Sequence, residues 1–212
     1  MSRLAFEVLG ARAEPYAAAP LLSFRLRISE AEGEQILAIA LRCQIRIEPR
    51  RRHYGRPEEE RLFELFGKAE RWGETLQTML WTHVSAMVPA FSGQVEIDLP
   101  VHCTYDFDVA SSKYLNALGN GDIPVLLLFS GTIFKPGPSG FSLEPVPWEL
   151  EAAYNLPVSV WRGVMDAYFP NSAWIRLNKD AFDELYRFKS QRALPTWEDA
   201  LSALLDMAKE KR

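Results

Sequence analysis

Five side chains that could do chemistry together fall on one stretch: Glu96, Asp98, His102, Asp106 and Asp108. They take the polar positions of an alternation whose apolar positions are Val95, Ile97, Leu99, Val101, Cys103, Tyr105, Phe107 and Val109. Carboxylates beside an imidazole could act as acid and base, or hold a hard cation. The spacing argues against both. Residues two apart on a strand stand about 7 Å apart, too far for neighbouring carboxylates to share an ion unless another strand contributes. Acid–base work would also need a cleft. The plainer reading is a solvated sheet face, neutralised by Arg42 and Arg46 on a neighbouring strand, each pair worth a few tenths of a kcal/mol.

Other reactive groups are sparse. Cys43 and Cys103 both sit at apolar positions of alternating segments, which suits reduced core thiols; a disulfide between facing strands is the alternative. With 2 Cys and 3 His, and no CxxC or HxxxH spacing, a metal site is not expected. His83 falls on an apolar stripe and reads as a buried or boundary imidazole. The run Arg50-Arg51-Arg52 could hold a phosphate or an acidic partner, or close a strand end against Glu58-Glu59-Glu60. No GxGxxG, Walker loop, GxSxG or HExxH occurs. We therefore expect no enzyme, no catalytic residue and no cofactor.

Aromatic residues are more suggestive. Trp148, Tyr154, Trp161, Tyr168, Phe169, Trp174 and Phe182 crowd the last third of the chain. Most belong in a core, but Trp and Tyr are also what adaptable binding grooves use. Trp148, Tyr154, Trp161, Tyr168 and Trp174 are thus the candidate binding residues.

The chain that must position these groups has 212 residues, 48% of them hydrophobic, which is enough for a substantial core. A net charge of −4 argues against a nucleic-acid surface. Met1–Ala11 carries no apolar core behind a basic start, and no apolar run approaches membrane-spanning length, so a cytoplasmic protein without membrane insertion is expected.

The period-2 stretch Val95–Val109 predicts one long strand, with Pro100 on its polar face marking a bend, bulge or edge. Leu37–Ile47 predicts a second clear strand, Leu22–Ile28 a third, and the apolar run Ile123–Phe134 a central strand covered on both faces or lying at a subunit contact. Phe141 and Leu143 begin a return strand after a Pro- and Gly-rich loop. Helices are predicted from Pro57 to Gly67, over Trp72–Val88 on the spacing of Trp72, Leu76, Met79, Leu80, His83, Val84 and Met87, over Val158–Phe169, over Lys179–Gln191 with Asn178 as its cap, and from Pro195 onward, with a short helix or turn over Lys113–Gly121. The expectation is one α+β domain over 1–212. It has an antiparallel sheet of four to five strands, C-terminal helices on one face, a helical insertion at 57–89 and an extra helix at 192–212. Self-association is expected because Ile123–Phe134 is apolar on both faces.

This order of elements resembles the preprotein-export chaperone SecB. Leu156-Pro157, Trp161-Arg162, Met165 and Phe169-Pro170 look like its first helix and exit, and Leu177-Asn178 through Ala181-Phe182-Asp183-Glu184-Leu185 like the entry to its last helix. The Pro expected just before Phe182 is missing, and the helices at 57–89 and after Pro195 are extra. Thr104-Tyr105-Asp106-Phe107-Asp108-Val109 and Ala193-Leu194-Pro195-Thr196-Trp197-Glu198 also look like an uncharacterised bacterial family, a domain of unknown function, encoded beside uptake [NiFe]-hydrogenase genes. Together these resemblances imply a homo-oligomeric chaperone or assembly factor that holds a client polypeptide, such as a hydrogenase subunit. The rival expectations are a scaffold subunit of a hydrogenase-associated complex and a small-ligand-binding protein.

Overall fold

In the computed structural model, residues 3–106, 109–138, 140–172 and 175–210 are described. The chain divides into two compact units, Met1–Trp174 and Ile175–Arg212. Among its described residues the first unit holds ten strands: β1 Leu4–Ala13, β2 Leu21–Glu30, β3 Gln35–Ile36, β4 Ala38–Ile47, β5 Met79–Val88, β6 Phe91–Ser92, β7 Gln94–His102, β8 Asp122–Gly137, β9 Gly140–Pro145 and β10 Glu151–Pro157. Its helices are α1 Arg56–Phe66, α2 Trp72–Thr75, α3 Ala110–Ala117 and α4 Val158–Tyr168. The expected α+β class with antiparallel sheets is what the chain adopts.

Alternation explains the layers. β1, β2 and β7 form a three-stranded antiparallel sheet in that order. β10, β8, β4 and β5 form a larger one, with β9 also on β8. Each strand of the pair buries its apolar face: Leu22, Phe24, Leu26 and Ile28 on β2, Ile39, Leu41, Cys43, Ile45 and Ile47 on β4. The rings of Phe6 and Phe129 stack at 4.2 Å across the two sheets, and Phe24 sits edge-on to Trp81 and Tyr154. β3 and β6 form a short ladder beside these sheets. α4 closes one end of the core with Val158, Trp161, Val164 and Met165.

The predicted helix over Trp72–Val88 is corrected. Only Trp72–Thr75 is helical, and Met79–Val88 is the edge strand β5, paired antiparallel to β4. The helical insertion thus shrinks to α1 and α2, and the segment behind it belongs to the sheet. Thr82, Val84, Ala86 and Val88 face inward against Ile45, Cys43, Leu41 and Ile39, while His83, Ser85 and Met87 face out. A bulge between Leu80 and Thr82 inserts Trp81, which packs on Phe24 and Trp161, so the alternation breaks and the period-2 signal was faint beside a fortuitous helical one. Pairing to a well-formed neighbour overrode it. β7 ends at His102, shorter than the Val95–Val109 expectation; Phe107 and Asp108 lie outside the described residues. β1 and β10 carry no strand in the sequence reading and pair β2 and β8.

β8 passes Gly131 at φ +144°, where a Cβ would stand 2.1 Å from the carbonyl oxygen of Ala40 on β4. Only glycine fits so close to a neighbouring backbone.

In the second unit, α5 Lys179–Gln191 and α6 Trp197–Glu210 form a helical hairpin. Asn178 caps α5 as expected, its Oδ1 accepting from the Ala181 N–H at 2.8 Å. Thr196 and Asp199 cap α6 reciprocally. Trp197 packs on Phe182 and Tyr186, while Leu201 and Leu205 remain exposed.

Candidate binding surface

The acidic row does not meet Arg42 and Arg46. β7 pairs with β2, so its polar face lies beside Arg25 and Arg27 instead. Glu96 accepts from both, at 3.2 Å from Arg25 Nε and 2.9 Å from Arg27 Nη2. Asp98 accepts from Arg12 and Arg25, and Glu7 from Arg27. Hydrogen bonds from Arg27 and Arg25 hold the Glu96 carboxyl below its ordinary range, and Arg12 does the same for Asp98. His102 is exposed, and the Asp106 N–H donates to the Thr104 hydroxyl. This face is an ion-pair lattice in water, with the carboxylates of Glu7, Glu96 and Asp98 already engaged. The solvated-face expectation holds, with different cations.

The arginine run is consumed internally. Arg50 donates to the carbonyls of Leu76 and Gly73, and Arg51 pairs with Glu48. Arg52 is buried and bridges α1 to the loop before β8. It meets Glu58 Oε1 at 2.7 Å and the carbonyls of Asn120 and Asp122 at 2.6 and 2.5 Å. The Gly119 N–H completes the Glu58 carboxylate at 2.6 Å. Beside this pair, the hydroxyls of Tyr54 and Tyr114 meet at 2.8 Å, and burial pushes the Tyr54 phenol up to about 12. These contacts tie elements together.

Glu30, Glu32 and Glu34 bring three carboxylates within 4.8 Å, a cluster that sequence reading overlooked. Glu30 already accepts from the N–H groups of Glu32 and Glu34, and Glu34 pairs with Lys135. It staples the turn between β2 and β3. Cys43 and Cys103 are free and buried, as expected, and burial pushes both thiols up to about 12.

The aromatic candidates scatter. Trp161 is 1% exposed and belongs to the core, edge-on to Trp81. Tyr154 is half-buried against Phe24, and the half-buried Tyr168 donates its hydroxyl to the carbonyls of Ala17 and Glu14. Trp148 stands in water at 88% exposure. Trp174 lies outside the described residues. Apart from that residue, these side chains form no common groove.

An open apolar surface lies elsewhere, on the outer face of the five-stranded sheet. Ladder register places Ala40, Arg42, Gln44 and Arg46 of β4 in line with Met87, Ser85, His83 and Leu80 of β5. On the other side they align with Thr132, Ser130, Leu128 and Leu126 of β8. Phe134 and Pro136 continue the face to Leu143 and Phe141 of β9. Leu80, Met87, Phe141 and Leu143 are each about half exposed or more, and a depression of about 600 Å³ is centred on Ala40, Arg42, Ser85, Met87, Ser130 and Thr132. Sequence reading had assigned Arg42 to the acidic row. The alternation of Phe141 and Leu143 with Ser142 and Glu144 was visible, but not which side would stay bare.

Among the described residues no helix is long and apolar enough to cross a membrane. The chain belongs to a family of unknown function, DUF6084, whose model matches residues 1–212. No curated protein matches it. A β-glucosidase of known structure from Kluyveromyces marxianus is similar over 73% of this chain at 6% identity, with a TM-score of 0.27. This chain spans 15% of that protein's length, and a likeness at this level says nothing of activity.

Proposed function

We propose that this member of the DUF6084 family is a non-enzymatic accessory protein that binds polypeptide through the open face of its five-stranded sheet. It would act as a holding chaperone or assembly factor, self-associating, with a [NiFe]-hydrogenase subunit as the client its sequence resemblances suggest. One observation carries the reading: of the two outer sheet faces, one is saturated with ion pairs and the other exposes Leu80, Met87, Phe141 and Leu143. Exposed apolar area of this kind marks an interaction surface. Its attraction grows with the area covered, at about 25 cal/mol per Å².

The test is suppression of aggregation of an unfolded model protein by the full chain. Met87→Ser with Leu143→Ser should weaken suppression. Neutralising Glu96, Asp98, His102 and Asp106 should leave it unchanged. No suppression by the wild type, or dependence on the acidic row, would sink the reading. A second reading, a permanent scaffold subunit, is favoured by the shallowness of a sheet face, which suits a flat partner better than a flexible chain. Affinity capture from the native host separates the two: a stoichiometric complex that survives purification favours the scaffold, and substoichiometric, exchanging clients favour the chaperone.

A further inference from the structure

The two outer faces handle charge differently. On the β1–β2–β7 face every arginine ends on a carboxylate: Arg12 on Asp98, Arg25 on Glu96 and Asp98, Arg27 on Glu96 and Glu7. On the open face, Arg46 is held by Gln44 Oε1 at 3.0 Å. Arg42 is exposed and has no hydrogen-bond or ion-pair partner among the described residues. It stands mid-sheet, directly between Ser85 on β5 and Ser130 on β8. The depression around these three continues past Gln44 and His83 into a second one of about 460 Å³. Arg42 is therefore a cation flanked by two hydroxyls, on a face that carries Met87, Leu80, Phe141 and Leu143 and no carboxylate at its centre.

A guanidinium does not shed its charge. Any partner that covers this face with apolar groups alone would strip Arg42 of water and leave it unpaired, at a cost that erases the gain from burial. The occupant must bring the missing anion. From this geometry we infer that the open face takes an acidic–apolar polypeptide segment. A single Asp or Glu side chain meets Arg42 and the hydroxyls of Ser85 and Ser130, and flanking apolar residues lie on Met87 and its neighbours. This rests on the polypeptide-binding reading above and specifies the partner's chemistry.

Fluorescence anisotropy with three short labelled peptides tests it, alike except for a central Glu, Gln or Lys between Leu and Phe residues. They are titrated with the full chain as wild type, Arg42→Gln, Arg42→Lys and Met87→Ser, each first shown to unfold at the wild-type temperature. The Glu peptide should bind wild type about tenfold tighter than the Gln peptide, with the Lys peptide weakest. Arg42→Gln should abolish the preference, Arg42→Lys should keep part of it, and Met87→Ser should weaken all three peptides alike. Equal binding of the Glu and Gln peptides to wild type, or a preference that survives Arg42→Gln, overturns the inference and leaves polypeptide binding standing. If none of the three binds wild type, both readings fall.

Discussion

Arg52 and Glu58 give the sharpest prediction about stability. Both side chains are more than nine-tenths buried, and their atoms meet at 2.7 Å. The guanidinium also holds the carbonyls of Asn120 and Asp122, and the carboxylate also accepts from the N–H groups of Gly119 and Gly55. Arg52 Nε is buried without a partner, so this network has no spare acceptor to absorb a loss. Replacing one member leaves a buried, uncompensated charge, which costs about 3–5 kcal/mol. For a chain of this size that lowers the unfolding midpoint by roughly 6–20 °C. Glu58→Gln and Arg52→Met should each show this loss in calorimetry and urea denaturation. The double variant should lose less than the sum, by about 1–3 kcal/mol, because no charge is then stranded. Losses under about 1 kcal/mol for each single variant, or strict additivity, would refute the argument.

The same carboxylate sets a pH dependence. Burial pushes Glu58 up, but the Gly119 N–H, the charge and hydrogen bond of Arg52 and the Gly55 N–H together outweigh it, so the folded value lies below the ordinary one. The folded state then binds this proton less readily than the unfolded chain. Its stabilisation is complete above the ordinary glutamate value of 4.5 and is lost as pH falls through the lower folded value. Below about 4.5 the wild type should lose stability more steeply than Glu58→Gln.

Three further outcomes are expected. Gly131→Ala should destabilise by about 2–4 kcal/mol in denaturant titration, because its Cβ would meet the Ala40 carbonyl and φ is +144°. Gly73→Ala, where a Cβ meets nothing, should not. Trp161→Ala should lose about 3–5 kcal/mol while leaving peptide affinity of the folded fraction intact, since that ring is core. Finally, Cys43 and Cys103, both pushed up to about 12, should resist a disulfide reagent at mildly alkaline pH until the protein unfolds.

Where alternation was strong, the sequence was legible. Large β-formers on β2, β4 and β7 faced charged or small polar residues, and the two faces separated cleanly. β5 failed because the bulge at Trp81 breaks its alternation and its outward residues include Met87, so the two periods were hard to tell apart. β10 was readable in hindsight from Ala152, Tyr154 and Leu156, all inward, but the segment is short and bounded by prolines. Apart from the β8–β9 hairpin, announced by its Pro- and Gly-rich loop, the pairing of strands was not legible. Giving the acidic row to Arg42 and Arg46 rather than Arg25 and Arg27 was a choice of neighbour, and alternation fixes faces without naming neighbours. The same mistake hid the candidate site, since Arg42 looked spent. The buried Arg52 pair joins residues whose other partners, Asn120 and Asp122, lie far along the chain, and no local pattern announces that.

β8 shares one edge between two successive neighbours, β10 along Asp122–Leu128 and β9 along Thr132–Gly137. Between them the chain leaves the ladder and returns, fixed on one side by the Val146 N–H on the Gly131 carbonyl and on the other by the Phe129 N–H on the Leu150 carbonyl. Trp148 sits on this short excursion with its indole in water, whereas Trp72 and Trp161 are buried. The molecule therefore carries its own optical probe. Trp148 should emit at the red edge of the intrinsic spectrum and be open to acrylamide, unlike the buried Trp72 and Trp161. A partner that reaches across β9 and β10 would announce itself as a blue shift and a loss of quenching, with no label attached.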